Sequence, residues 1–313
     1  MKKRVLIGSC GGLTGNYLTH QFQKLGCHVI GADAGMRNAT RFFVDEFAQL
    51  PVAKDKEFLS RLIVALTQLQ VDYYIPTHSQ EIRVVSQNEQ LIRDNWGGKF
   101  LVSPYSTFEQ LDDKKTGNKN LQAAGIPVPQ MYSDLSEITE FPVFMKPNSG
   151  SGSRNSRKVE TRKLAEAYEE IETGSTFYEC VSGTEFTVDC MFDDQGKLLG
   201  YNQRVREKSM GGAVIVTRND HSFDIAPYLR KLEAAFTFKG CVNFQYILRD
   251  GVPYFIDVNL RYASGGLPLT VASGIDVPRL MIDIFEGNPV NEVTSNHADG
   301  MTMYRYFEEI FEA

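Results

Sequence analysis

In the stretch "VPYFIDVNLRYASGG", Asp257, Asn259 and Arg261 occupy alternate positions, and alternate residues of a β-strand point to the same side. A carboxylate, an amide oxygen and a guanidinium would then face one site. Gln245, in "VNFQYI" on the other arm of a hairpin with Asp250-Gly251 at its turn, can meet Asp257 and add a further oxygen. Hard oxygen donors of this kind suit magnesium, which keeps several waters and completes its octahedron with phosphate oxygens. An Asp and an Asn ending a strand in a turn is the plainer reading of the same residues.

A second stretch, "KPNSGSGSRNSRKV" at 146–159, follows Lys146 with small residues and with Arg154, Arg157 and Lys158, and it contains no acid. Its backbone N–H groups and its cations suit an anion such as phosphate, with a mobile surface loop as the alternative. Further upstream, "GSCGGLTG" follows a strand and opens a helix, and Asp33 ends the next strand where a ribose-binding acid would stand. A G-x-G-x-x-G ending on Gly15 would need glycine in place of Cys10, so a tight structural turn or contact with a small substrate competes with dinucleotide binding. "IPTHSQE" places Thr77, His78 and Glu81 just beyond a strand end, where open α/β sheets bind ligands, although helix capping is an equal reading. In "NQRVREKSMGGAVIVTR", Arg204 and Arg206 share one strand face and could clamp a carboxylate, or they could belong to a solvated edge.

These groups need a framework. The runs "RVLIGS", "CHVIGAD" and "VDYYIPT" read as strands, and "TGNYLTHQFQKLG" and "KEFLSRLIVALTQLQ" as amphipathic helices, which together make a small parallel sheet with helices on its faces. "DKKTGNKNLQAAGIPVP" is a capped helix with a glycine stop. Beyond it, "FPVFMKP", "STFYECV", "EFTVDCMFD", "KLLGYNQRVR" and "GAVIVTR" read as antiparallel strands. The helix "IAPYLRKLEAAFTFKG", the Asp-Gly hairpin and the helix "DVPRLMIDIFEG" follow. The expected fold is therefore α/β, with an α+β second part.

Composition bounds the classes. At 313 residues, two domains are expected. A net charge of −6, from 33 basic and 39 acidic residues, argues against a general nucleic-acid or anionic-membrane surface. No segment approaches the roughly 18 to 20 apolar residues of a membrane helix. Five scattered cysteines without a C-x-x-C pair fit neither a disulfide frame nor a zinc site and point to a reducing cytoplasm.

Taken in series, "DDKKTGNKNLQAAGIPVP", "FPVFMKPNSGSGS", "ECVSGTEFTVD" and "VNFQYI…YFIDVNLRYASGG" resemble the ATP-grasp ligases, in particular the branch of the carbamoyl-phosphate synthase large subunit, over nearly the whole chain. The resemblance implies a Rossmann-like open parallel sheet at 1–108 ahead of an ATP-grasp module at 109–313 with antiparallel sheets and a lid at about 115–182. It also implies ATP and magnesium as cofactors, with manganese as an alternative ion. By position, Lys114 and Lys146 look like the phosphate-holding lysines, with Ser151 and Gly152 in the loop that closes over the triphosphate. Glu179 and the backbone of Val181 look like the adenine hinge, and Glu185 looks like the ribose ligand. Gln245, Asp257 and Asn259 resemble the metal ligands, and Arg261 stands next to the transferred phosphate. Many members carry glutamate at both metal carboxylate positions, whereas this chain has Gln245 and the shorter Asp257; the Gln agrees with the carbamoyl-phosphate-synthase-like branch.

The resulting expectation is an ATP-dependent ligase joining a small carboxylate to an amine through an acyl phosphate. The substrate would sit against Gly12, Thr14, Thr77 and Glu81, with Arg204 and Arg206 near the acceptor. Neither nucleic acid nor membrane is an expected partner, and homodimers are common among proteins of this kind. An ATP-binding sensor without turnover and a nicotinamide-dependent oxidoreductase are the alternatives from other classes.

Overall fold

The chain starts on an apolar strand, β1 (Arg4–Gly8), in which Val5, Leu6 and Ile7 are wholly buried, so both of its faces require cover. The computed structural model describes residues 2–148, 155–210, 213–293 and 299–312. After β1 come α1 (Leu13–Lys24), β2 (His28–Asp33), β3 (Glu46–Gln49), α2 (Phe58–Gln68), β4 (Tyr73–Ile75), α3 (Ser79–Gln87) and α4 (Glu89–Asn95). The strands form a parallel sheet in the order β3-β2-β1-β4. Leu6 packs with Leu62 and Leu66 of α2, while Val5 and Ile7 pack with Leu18 and Phe22 of α1. Sequence reading finds three strands here. The fourth, β3, is a short half-buried edge, "EFAQ", without an apolar run to mark it.

Helices α5 (Tyr105–Leu111) and α6 (Lys114–Ala123) follow. Asp113 caps α6 by accepting from the Thr116 N–H at 2.8 Å, which fixes where Lys114 begins the helix. A small antiparallel sheet, ordered β5-β8-β6-β7, comprises β5 (Met131–Tyr132), β6 (Val143–Pro147), β7 (Arg157–Val159) and β8 (Ser175–Glu179). It packs on α7 (Arg162–Ile171) through Val143, Met145 and Ala165.

The remaining strands are β9 (Thr184–Phe192), β10 (Leu198–Met210), β11 (Ala213–Asn219), β12 (Gly240–Arg249), β13 (Val252–Asn259) and β14 (Thr302–Tyr304). They form one antiparallel sheet ordered β13-β12-β9-β10-β11-β14, interrupted in sequence by α8 (Ala226–Ala235), α9 (Leu267–Ala272) and α10 (Val277–Glu286). One face is apolar: Phe186, Val188, Phe244, Tyr246 and Phe255 are buried against Leu229 and Leu232 of α8, with the Phe186 and Tyr246 rings stacked at 5.0 Å. Each fully buried side chain of this size contributes about 1.5–3 kcal/mol. The other face is polar and carries the site.

One irregularity sets that face. Arg249↔Val252 through Tyr246↔Phe255 pair as an ordinary two-residue hairpin, and then Gln245 pairs with Asp257, leaving Ile256 as a bulge. The extra residue reverses the alternation, so Phe255 enters the core while Asp257, two residues on, faces the polar side. Among the described residues, no helix is long and apolar enough to cross a membrane.

Candidate functional site

The register of the large sheet aligns polar residues in rows. Asp257, Gln245, Thr187 and Arg204 are neighbours across four strands, and Asn259, Asn243, Asp189 and Asn202 form the next row. All but the buried Asp189 and Asn202 line, with Arg206 and Arg261, a cleft of about 90 Å³.

Cations converge on its one carboxylate at that end. Lys114 Nζ lies 3.7 Å from Asp257 Oδ1. Asn259 Nδ2 donates to Asp257 Oδ2 at 2.9 Å, and Arg261 Nη2 donates to Asn259 Oδ1 at 3.2 Å. The Gln245 amide bridges the same group: its Nε2 donates to Asp257 Oδ2 at 3.3 Å and its Oε1 accepts from Arg206 Nη1 at 3.2 Å, the orientation that satisfies both ends. Lys146, near the end of β6, donates from Nζ to the carbonyl of the bulged Ile256 at 2.9 Å and stands 4.9 Å from the Tyr178 ring centre. Burial pulls the Lys146 ammonium down to about 8; Asp257 opposes that shift and Lys114 adds to it. The Lys114 N–H donates to the Asn148 carbonyl at 2.8 Å, tying the start of α6 to the end of β6 and thereby holding the two lysines together.

A second cavity, about 460 Å³, opens at the C-terminal ends of β1, β2 and β4. Gly12, Thr14, Thr77 and Glu81 all border it, and Arg261 and Ser264 border both cavities. The glycine turn has its own structural account. A Cβ on Gly15 would lie 2.5 Å from Cys10 Cα, and the Asp33 carboxylate accepts from the Gly11 and Gly35 N–H groups, each at 2.9 Å. Asp33 thus braces the loop, a role that requires no ribose.

Three comparisons bear on this arrangement. A protein-family model described as "ATP-grasp in the biosynthetic pathway with Ter operon" matches residues 177–308, the segment that holds the polar face. The carbamoyl phosphate synthase large chain of Thermoanaerobacter sp. is 22% identical over 232 residues, 67% of this chain and 21% of that one. Residues 177–308 thus match an ATP-grasp family. The chain spans about a fifth of the length of the carbamoyl phosphate synthase chains it matches. The D-alanine–D-alanine ligase of Fusobacterium nucleatum is 24% identical over 184 residues, 54% of this chain and 63% of the ligase. In fold, the biotin carboxylase domain dimer of Hydrogenobacter thermophilus 2-oxoglutarate carboxylase, in complex with MgADP, ADP and bicarbonate, superposes with a TM-score of 0.76 at 15% identity, over 96% of this chain and 73% of that one.

Several expected site residues have other duties. Arg204 is not a free substrate clamp. Its Nε and Nη2 donate to the two Asp189 oxygens at 3.0 and 3.2 Å, Thr270 Oγ1 donates to the same carboxylate at 2.7 Å, and the whole group is buried. Gly266 seals it: a Cβ there would lie 1.9 Å from Arg204 Nε. The Glu179 carboxylate is held by Arg249 at 2.5 Å, and the Glu179 carbonyl accepts from the Val181 N–H at 3.1 Å, so any base contact falls to the backbone of this turn. Thr77 spends its hydroxyl on the Gly8 carbonyl at 2.7 Å. Glu81 is likewise enclosed, accepting from Tyr74 OH at 2.6 Å and Ser9 Oγ at 2.7 Å; burial raises its pKa, and it supports the pocket floor. Glu185 reaches Arg206 at 3.2 Å on the half-open side of the cleft. Ser151 and Gly152 lie outside the described residues.

Thr187 and Ser264 join the site without having been singled out for it, and His78, named at the strand end, takes its place there. Thr187 is buried at the centre of the first polar row, and its Oγ1 has no hydrogen-bond partner. His78 borders the second cavity and caps α3, its Nδ1 accepting from the Gln80 N–H at 3.3 Å; burial and then Arg261 disfavour its charged form. The "THSQE" cap pattern was its sequence signal, whereas Thr187 and Ser264 are common residue types in ordinary surroundings.

The donor set at Asp257 fits a magnesium ion that arrives with phosphate. Asp257 supplies one carboxylate; the Gln245 and Asn259 oxygens, which here accept from Arg206 and Arg261 while their NH2 groups face Asp257, would supply neutral hard donors on turning toward the ion. Among the described residues no group of three or more His, Cys, Asp or Glu could hold a metal unaided. The remaining ligands would be water and phosphate oxygens.

Proposed function

We propose that this chain is an ATP-grasp ligase that activates a small carboxylate with magnesium–ATP and joins it to an amine. The observation that carries the reading is the convergence of Lys114, Lys146 and Arg261 on the Asp257 centre, with Arg261 forming a wall shared with a separate pocket. Bound magnesium–ATP would supply a phosphoryl group to the carboxylate, giving ADP and an acyl phosphate that the amine converts to an amide with release of phosphate.

The chain's own contribution is holding and charge placement. Lys114 and Lys146 would bind the phosphates, Gln245, Asp257 and Asn259 the ion, Glu185 the ribose, and the Glu179–Val181 turn the base. Arg261 stands where charge develops between the two cavities, and Arg204, locked by Asp189, supports the sheet beneath it. Arg206, bridged to Gln245 and Glu185, is placed to meet an incoming anion. Five free cysteines support a reducing cytoplasm, and a homodimer is the assembly to test.

The test is ADP release from magnesium–ATP with paired carboxylates and amines, comparing wild type with Asp257→Ala. Substrate-dependent release abolished by the substitution supports the ligase; release that survives it removes the assigned role of Asp257. A second reading, an ATP-binding subunit without turnover, draws on the single carboxylate at the metal position. It predicts nucleotide binding with no substrate-dependent release.

A further inference from the structure

The second cavity has a chemistry of its own. One side is apolar: Leu50, Pro51, Val52 and Ala53 follow β3, and Phe58 opens α2. Phe58 and Leu50 are buried, while Val52 (48% exposed) and Leu13 (40% exposed) stand uncovered at the rim. The opposite side is polar, with His78, Thr14 and the shared Arg261 and Ser264. Thr14 is itself buried, and its hydroxyl has no partner among the described residues. A water occupies about 30 Å³ of liquid. At about 460 Å³ the pocket is far larger than a bicarbonate ion requires.

We propose that this pocket takes a carboxylate bearing an apolar arm, its carboxylate at Arg261 and Ser264 beside His78 and its arm against Pro51, Val52 and Phe58. The inference rests on the ligase reading, which puts the acceptor carboxylate at the wall common to both cavities. Arg261 supplies the cation that a carboxylate needs. With Nδ1 accepting from the Gln80 N–H, a neutral His78 carries its proton on Nε2 and presents a donor. Beyond that end Pro51, Val52, Ala53 and Phe58 offer no hydrogen bond from their side chains, and the charged group nearest the glycine turn is the Asp33 carboxylate, which accepts from the Gly11 and Gly35 N–H groups. A second carboxylate on the substrate would be desolvated there with no cation to pair it and with Asp33 on the same lining, whereas each methylene of an apolar arm gains about four-fold in affinity on burial.

The experiment uses the whole chain and reads binding separately from turnover. Saturation-transfer NMR measures binding of leucine, 4-methylpentanoate, acetate, glutarate and bicarbonate. Hydroxamate formation from the same acids with magnesium–ATP and hydroxylamine reports acyl phosphate whatever the natural amine. Leucine or 4-methylpentanoate should bind at least about ten-fold more tightly than acetate or glutarate, and Val52→Asp, at an exposed position, should erase that preference. Ala53→Trp, which fills the apolar side, is the second variant should the first melt early.

Apolar acids that bind and form hydroxamate support both readings. Apolar acids that bind in a Val52-dependent manner without hydroxamate support the pocket and remove the ligase. Turnover with bicarbonate or glutarate and no preference for apolar acids overturns the pocket and leaves the ligase. Neither binding nor turnover overturns both.

Discussion

Gln245 faces Asp257 across the β12–β13 hairpin because Ile256 stands out of register between Phe255 and Asp257. An unbroken two-residue hairpin would set Gln245 opposite Ile256. The bulge does two things at once: it turns Asp257 to the polar face, and it leaves the Ile256 carbonyl where Lys146 donates to it at 2.9 Å.

Deleting Ile256 separates these effects. Gln245 would still face the aspartate, but the carbonyl that anchors Lys146 would be gone. A hydrogen bond to a charged group contributes about 1.5–3 kcal/mol, so ATP affinity should fall about ten- to a hundred-fold in calorimetry. Unchanged affinity would show that Lys146 needs no such anchor.

Lys146 also makes stability depend on pH. A free lysine titrates at 10.5 and Lys146 at about 8. Below pH 8 the ammonium is protonated in both the folded and the unfolded chain, and its burial penalty is fully present. Between 8 and 10.5 the folded chain has released the proton, so stability rises with pH across that window. The shift corresponds to about 3 kcal/mol. Lys146→Met removes that penalty and loses one hydrogen bond, for a net gain of about 1–2 kcal/mol at pH 7. The variant should melt a few degrees above wild type while binding ATP far more weakly, and wild-type affinity for ATP should itself weaken as pH passes 8. A variant that melts below wild type would refute the burial argument.

Gln245→Glu places a second carboxylate beside Asp257. Titration of magnesium in the absence of nucleotide should detect tighter binding by about ten-fold or more, because hard cations respond to the number of charged oxygens. The wild-type chain should bind the ion weakly until ATP is added. Equal magnesium affinity in the two proteins would move the ion away from this position.

The buried Arg204–Asp189 pair predicts asymmetric substitution effects. Asp189→Ala strands a buried guanidinium and should cost about 3–5 kcal/mol in urea unfolding. Replacing both partners, as Asp189→Val with Arg204→Met, should recover most of that loss. Equal losses in the single and double variants would mean that the pair does not act as a unit.

These residues also show what can be read from sequence. Alternation brought Asp257, Asn259 and Arg261 to one cleft, and the Asp-Gly turn located the hairpin, because both signals are local. The bulge was not legible: "FIDVN" alternates normally, and the register shift follows from the sheet as a whole. Arg204 and Arg206 look alike on their strand. Only the fold sets Asp189 beside the first, on a neighbouring strand, and leaves the second at the cleft. Glu81 looks like a ligand at a strand end until Tyr74 and Ser9 are seen to enclose it. The edge strand β3 lacks an apolar face and so carries no periodic signal.

Arg261 is a single guanidinium common to two compartments, so the two ligands cannot be thermodynamically independent. Whatever factor an occupant of one cavity imposes on the dissociation constant of the other, the reverse effect is the same factor. If the acid and the nucleotide both draw on Arg261, part of its charge is shared between them. Their joint binding then departs from the product of their separate constants by an amount that a double titration of wild type and Arg261→Met reads directly.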